Sequence, residues 1–442
     1  MIINKKSNTL ALVSVSLILF LVILLSTASA ASPTITKTRI TNHRTAENPV
    51  IFGNNIVWQD YRNRNWDIYI YSIFTKKETH TINKLNQMNP AIYGNRVVWE
   101  DYRNGNADIY MQDLSTNKQT RITTNKSDQY TPAIYGDKIV WVEGRNGGKL
   151  DEFGYPIRDE SVNPSGKLDI YMYDLSTRKE TRITSSGSAY KPDIYGDRIV
   201  YTDYRSSGGF FSGSNIYMYD LSNQKETQIA TSGDAYDPAI YSNRIVWTVW
   251  FDSTIHMYDL STHKETQITS SGSAQNPDIY GDRIVYEDSR YDVSGNTDIF
   301  MYDLSTNKET MITPWDENRG EEQDDPYQVN PAIYGDKIVY ADGVYIPNNA
   351  HGDIYIATLS YLPVASFTAS PLSGRAPLTV KFTDKSTRSP TSWSWNFGDK
   401  SSSTTQNPKH KYTKAGKYTV TLTVKNAAGS NNKKITNYVT VK

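Results

Sequence analysis

Residues 36–41 read Thr-Lys-Thr-Arg-Ile-Thr, "TKTRIT", between an apolar leader and the first recognisable module. The string returns as "KQTRIT" (118–123), "KETRIT" (179–184), "KETQIT" (264–269) and "KETMIT" (308–313), where it ends a longer unit. Each unit opens on a head, P-x-I-Y-G then (D/N)-(R/K)-I-V-(W/Y) with small variations. The heads start at Pro49, Pro90, Pro132, Pro192, Pro238, Pro277 and Pro331. A body of the form D-I-Y-M-Y-D-L follows, beginning at Asp67, Asp108, Asp169, Asn215, Thr254, Asp298 and Asp353. Six tails follow seven heads, one of them degenerate at "KETHTI" (77–82). The seventh body, "DIYIATLS" (353–360), runs into unrelated sequence. The missing tail is therefore the string at the start.

Units of about 40–45 residues with four short strands each are the pattern of a β-propeller. The expected fold is an all-β, seven-bladed ring whose last blade is completed by the N-terminal strand. An open ring would leave unpaired sheet edges. The head supplies strands a and b around a Gly-Asp or Gly-Asn turn. The body is strand c and the tail strand d, joined by "DLSTNKE"-type turn chemistry. Heads are spaced by 41, 42, 60, 46, 39 and 54 residues. The excess falls in b–c and d–a connections, which emerge at one end of an antiparallel blade. Variable loops on a rigid scaffold are where binding is usually placed.

The strand-b ending Asp-x-Arg, as in "QDYRNRNWDIYIY" (59–71) and "EDYRNGNADIYMQDL" (100–114), followed by D-I-Y-x-x-D-L, resembles the TolB-like (PD40-type) propeller family. Beyond the ring, "PVASFTASPLSGRAPLTVKFTDKSTRSPTSWSWNFGD" and "KHKYTKAGKYTVTLTVKNAAGS" resemble a PKD domain, an immunoglobulin-like β-sandwich. The resemblance is carried by Trp393, Trp395, Phe397, Gly398, Asp399, His410, Tyr412, Gly416, Tyr418, Val420, Leu422 and Val424. "YTVTLTV" also alternates with period two, as a half-buried strand should. Lys400 departs from the family, which often has Gly there. The expected organisation is 1–30 signal peptide, 31–361 propeller and 362–442 PKD domain. Together the modules resemble archaeal, methanogen-type cell-surface or surface-layer-associated proteins. That resemblance implies an extracellular binding or structural role and names no ligand.

Composition agrees. Lys5 and Lys6, the apolar run Leu10–Leu25 and Ala28-Ser29-Ala30 read as an export signal. No second apolar stretch suggests a membrane span in the mature chain. With 33 Tyr among 442 residues, strands are favoured. With 0 Cys, disulfides, thiol nucleophiles and Cys-ligated zinc are excluded. The formal charge of +0 hides an imbalance. Residues 363–442 hold 13 Lys and Arg against 2 Asp and Glu, a net of +11, so the ring is acidic. A basic module can grip an anionic wall polymer or an acidic neighbour. Nucleic acid is not expected for an exported chain.

Repetition separates structure from chemistry, because an active site is needed once. Asp60/Arg62, Asp101/Arg103, Asp203/Arg205 and Asp288/Arg290 recur and read as hairpin braces. No G-x-S-x-G elbow and no H-x-x-x-H spacing occurs. Two acidic loops break the symmetry. Asp316, Glu317, Glu321, Glu322, Asp324 and Asp325 crowd one, and Asp151, Glu152, Asp159 and Glu160 the other. Carboxylate oxygens suit Ca²⁺, although the D-x-D-x-D-G pattern is missing, and no other cofactor is expected. Paired carboxylates for glycan cleavage are the rival reading. Aromatics on the variable face, Trp66, Phe153, Tyr155, Phe210, Phe211, Trp250, Phe251, Trp315 and Tyr345, are candidate contacts for glycans or surface proteins. The sequence thus points to a non-catalytic surface protein, with a polysaccharide-active enzyme and an envelope scaffold as alternatives.

Overall fold

The computed structural model describes residues 32–81, 83–145, 167–205, 213–230, 233–291, 296–314, 327–344 and 352–442. Seven four-stranded antiparallel sheets follow one another, each ordered a-b-c-d. In the second blade these strands are Gln87–Tyr93, Arg96–Asp101, Asp108–Asp113 and Lys118–Arg121. The a-strands touch one another all the way round, first to last, so they surround the axis. Strand b is buried on both faces because a neighbouring blade covers each side. Its aromatic residue, for example Trp58, Trp99 or Trp141, is fully buried. In every blade that residue packs against a ring of strand c at 5.8–6.3 Å. Strand d is short and exposed, which explains its charged K-E-T lettering.

The opening string closes the ring. Thr34–Arg39 pairs antiparallel with Asp353–Ser360, from Thr34 opposite Ser360 to Arg39 opposite Tyr355. It also repeats the side-chain contacts of an ordinary tail. Arg39 donates to Thr41 O and lies 2.5 Å from Asp353, and Thr41 Oγ1 accepts from Ile354 N at 2.9 Å. Blade two does the same with Arg121, Thr123, Asp108 and Ile109, and blade three with Arg182, Thr184, Asp169 and Ile170.

The recurrent Asp-x-Arg pairs are braces. Arg62 lies 2.5 Å from Asp60, reaches Glu78 on strand d at 2.9 Å, and stacks 4.0 Å over Tyr69 of strand c. Arg205 repeats this with Asp203, Glu226 and Tyr217, and Arg290 with Asp288, Glu309 and Phe300. One side chain ties three strands.

Residues 363–442 form a sandwich of a three-stranded and a five-stranded sheet. Trp395, Phe382, Phe397 and Tyr412 fill its core, and Trp395 is fully buried. The Asp399 carboxylate lies 2.7 Å from His410, whose ring stacks on Phe397. Lys400 adopts φ +73°, a left-handed conformation that an L side chain resists, which explains why the family often has glycine there. At Gly398 a Cβ would meet Thr419 O at 2.5 Å, so only glycine fits. Tyr361, before the sandwich, lies under the guanidinium groups of Arg283 and Arg388, and its carbonyl accepts from Asn426.

Candidate functional site: the axis of the ring

Strand a is paired on one edge only, so its other edge faces the axis. Every a-strand carries a bulge, with the residue before the head proline at positive φ, such as Asn48 (49°), Lys191 (51°) and Asn330 (55°). Residues before proline normally prefer extended backbone, so tertiary pairing overrides local preference here. The bulge aims that residue inward. Asn276 donates to Asn330, Asn330 to Asn48 and Asn48 to Asn89, at 3.0, 2.6 and 3.3 Å. Lys191 and Asp237 continue the circuit as an ion pair at 3.5 Å. This polar level lies nearer the variable face.

Strand b of one blade staples the bulge of the next. Gln59 accepts from Asn89 N, Glu100 from Thr131 N, Thr248 from Asn276 N and Glu287 from Asn330 N. Burial pushes the Glu100 carboxyl up to about 7, against the opposing effect of those donors. Glu287 is raised for the same reason.

Two residues after each pre-proline residue, most blades have alanine or valine. Blades four and six have Asp193 and Asp278. Asp193 accepts from its own Ile194 N and from Ile240 N of the next blade, each at 2.8 Å. Asp278 does the same with Ile279 N and Ile333 N. Each carboxylate thus caps two axis-facing edge N–H groups. Burial raises Asp193 to about 6 and Asp278 to about 7, and the charge of Asp193 adds to the rise at Asp278. Both residues remain partly accessible although protein surrounds them, because they border the axis.

The last residue of each a-strand forms an aromatic collar. Phe52 meets Tyr93 (4.8 Å), Tyr93 meets Tyr135 (4.5 Å), and Tyr135 meets Tyr195 (4.7 Å). Tyr195 meets Tyr241 (5.0 Å), Tyr241 meets Tyr280 (4.7 Å), Tyr280 meets Tyr334 (4.8 Å), and Tyr334 returns to Phe52 (4.6 Å). The planes of neighbouring rings differ by 45–55°. A seventh of a turn is about 51°, so the rings stand nearly upright around the axis. Their centroids close a circle about 11 Å across. The collar lies at the a–b turns, away from the variable loops. Burial raises the Tyr135 phenol, and its neighbours Tyr93 and Tyr195 raise it further.

Two departures in the sequence mark this site. "PDIYG" at 192 and 277 departs from "PAIYG", and Phe52 interrupts the tyrosines. The head tyrosines recur in the blades, and recurrence by itself points to structure rather than to a site. A ring site, however, is made by recurrence.

Of the expected aromatic contacts, Trp66, Trp250 and Phe251 are described. Trp66 is half-buried against Tyr61. Trp250 packs edge-on to Tyr236, and Phe251 is 89 % exposed. Phe251 stands where other blades place the brace arginine, and Val249 where they place its aspartate. With no arginine to fold over strand c, His256 takes the strand-d carboxylate of Glu265 at 2.8 Å. Trp66 belongs to blade one and Trp250 with Phe251 to blade five, so the ring does not gather them. Phe153, Tyr155, Phe210, Phe211, Trp315 and Tyr345 lie outside the described residues, as do both acidic loops, Asp151 to Glu160 and Asp316 to Asp325. Among the described residues no cluster of three or more metal-ligating side chains occurs.

The sandwich contains Ser401, His410 and Asp399 in mutual contact. Ser401 Oγ and Asp399 both face His410 Nε2, at 3.3 and 2.7 Å. A relay needs the two partners on different ring nitrogens, so this cluster locks a turn. Its other acid, Asp384, accepts from Trp393, Gln406 and Ser386. Both acids of the sandwich are thereby used internally. None of its 13 Lys and Arg makes an ion pair among the described residues. Lys381 sits directly opposite Lys409 across two strands, with Lys411 on the same exposed face.

Comparison with known proteins places both modules. Residues 362–441 match the PKD domain family. The chain is 43 % identical over 76 residues to collagenase ColA of Bacillus cereus, a match covering 16 % of this chain and 8 % of that protein. An oligogalacturonate lyase solved in complex with manganese overlays with a TM-score of 0.53 at 15 % identity. It covers 75 % of this chain and 95 % of the lyase. The β-propeller domain of the Trilobed protease from Pyrococcus furiosus, which has an open velcro topology, overlays with a TM-score of 0.51 at 14 % identity. It covers 72 % of this chain and 94 % of that domain. The chain carries a PKD domain behind a β-propeller. At these identities the ring's likeness is one of fold.

Proposed function

We propose that this chain is a non-catalytic extracellular surface protein. Its PKD sandwich attaches to an anionic polymer, and its ring presents the variable loops for recognition. The unpaired charge of the sandwich carries this reading. Like charges placed directly opposite one another on a sheet cost stability. Nothing inside the sandwich offsets the Lys381–Lys409 juxtaposition, whereas a polyanion would. PKD domains are typical of extracellular proteins, and a 76-residue stretch of the chain is similar to part of a collagenase.

The test is retention of the full chain, and of a Lys381→Glu, Lys409→Glu, Lys411→Glu variant, on native envelopes and on polygalacturonate across a salt series. Retention that weakens with salt, and weakens more in the variant, is expected. Retention indifferent to both overturns the attachment role. Products are measured in the same assay, because shortened polymer chains would instead make the ring an enzyme.

A further inference from the structure

We propose that the aromatic collar and the carboxylates of Asp193 and Asp278 form an axial binding site for an organic ammonium ion. This site does not depend on the polymer attachment proposed above.

Three observations converge. The collar is complete, so a group on the axis meets aromatic rings from every side. Rings 4.5–5.0 Å apart lean on one another rather than all turning a face inward, so the collar offers a cation on the axis its ring rims and its phenol oxygens, which are acceptors. Asp193 precedes Tyr195 by two residues, and Asp278 precedes Tyr280 by two. Residues two apart share one face of a strand, so each carboxylate sits one step deeper than a collar ring of its own strand. Each carboxylate also has acceptor capacity to spare. It receives two N–H bonds, one per oxygen, and an ionised carboxylate can accept about four.

The capping of edge N–H groups does not by itself explain the aspartates. The equivalent N–H groups of Ile51, Ile92 and Ile134 face the axis behind valine or alanine. The ring closes there without a carboxylate. Burying two mutually repelling carboxylates is costly, and a cation between them removes the cost. The nearest fixed cation on these strands, Lys191, is engaged with Asp237 at the polar level. An alkylammonium suits the site better than a bare metal ion. The collar has apolar ring rims for methylene groups, and the carboxylates sit behind it for the charged head. The entrance is the a–b turn mouth.

The experiment is calorimetric titration of the full chain with n-butylammonium and 1,4-diammoniobutane at low salt, with n-butanol as the uncharged control. One saturable site per chain is expected for the amines and none for the alcohol. Asp193→Asn with Asp278→Asn should weaken amine binding about tenfold or more. Phe52→Leu, which removes a collar ring and touches no hydrogen bond, should weaken it several-fold by loosening Tyr93 and Tyr334, which pack on that ring. The Phe52 variant keeps the test decisive if the double variant fails a thermal-unfolding check. No saturable amine binding overturns the proposal. So does equal binding of n-butanol, or binding that neither set of substitutions changes.

Discussion

The ring and the sandwich treat charge in opposite ways. In the ring, acids and bases are structural parts. Asp60 and its counterparts hold arginines that lash three strands, and Asp353 receives the closing strand. Such contacts repeat because blades repeat. In the sandwich the core is made once, from aromatic side chains, and both acids serve turns. Among the described residues none of its thirteen cations is paired with an acid. Charge consumed by the fold says little about partners, and charge the fold leaves unused says more.

The contrast can be broken most severely at the ring's seam. Removing residues 32–41 should lower the ring's melting temperature by on the order of 10 °C and promote aggregation through the exposed edge of Asp353–Ser360. Calorimetry and size-exclusion chromatography would read both effects, and an unchanged melting temperature would undo the closure argument. Trp395→Ala is the matching cut in the sandwich. It should cost about 3–5 kcal/mol and melt that module while the ring's transition stays in place. A single transition moving as a whole would mean that the two modules unfold together.

Acidity sharpens the difference. Asp193, Asp278 and Glu100 have raised values in the folded ring. The folded ring therefore binds more protons than the unfolded chain as pH falls from about 8 to about 5, and stability should rise over that window, by up to about 1.4 kcal/mol for each pH unit that a raised group spends below its folded pKa. Below about 4 the gain reverses, as Asp60, Asp101 and Asp288, whose values are lowered, are protonated and release their arginines. In the sandwich, Asp384 and Asp399 are both lowered, so only the acid-side loss is expected there. Differential scanning calorimetry from pH 3 to 8 separates the two profiles. The smallest effect belongs to Lys400→Gly, which should stabilise the sandwich by about 0.5–1 kcal/mol by relieving its left-handed backbone. Chemical denaturation would read it.

Much of this architecture was legible in the letters. Blade number, seam and sandwich follow from the repeat count, the orphan "TKTRIT" and the Trp-Ser-Trp-Asn-Phe-Gly-Asp stretch. The brace role of Asp60 and Arg62 followed from recurrence. The axial site did not. The bulge before each head proline contradicts local preference and arises from inter-blade bonds such as Gln59 to Asn89 N. Only ring closure brings Phe52 against Tyr334, so no local pattern could show the collar. Phe251 was legible as an aromatic, but its exposure follows from the missing arginine and aspartate of blade five.

The seam also sets a timetable. The strand that completes the last blade is made first, and Arg39 bonds to a residue 314 positions later. Through synthesis this segment has no partner, and each finished blade adds to a curved stack with two open ends. The final pairing has a very long loop to close, and contacts of that separation form slowly. The last step of folding is thus a capture event, and a helper that holds an extended strand would act on these residues before any others.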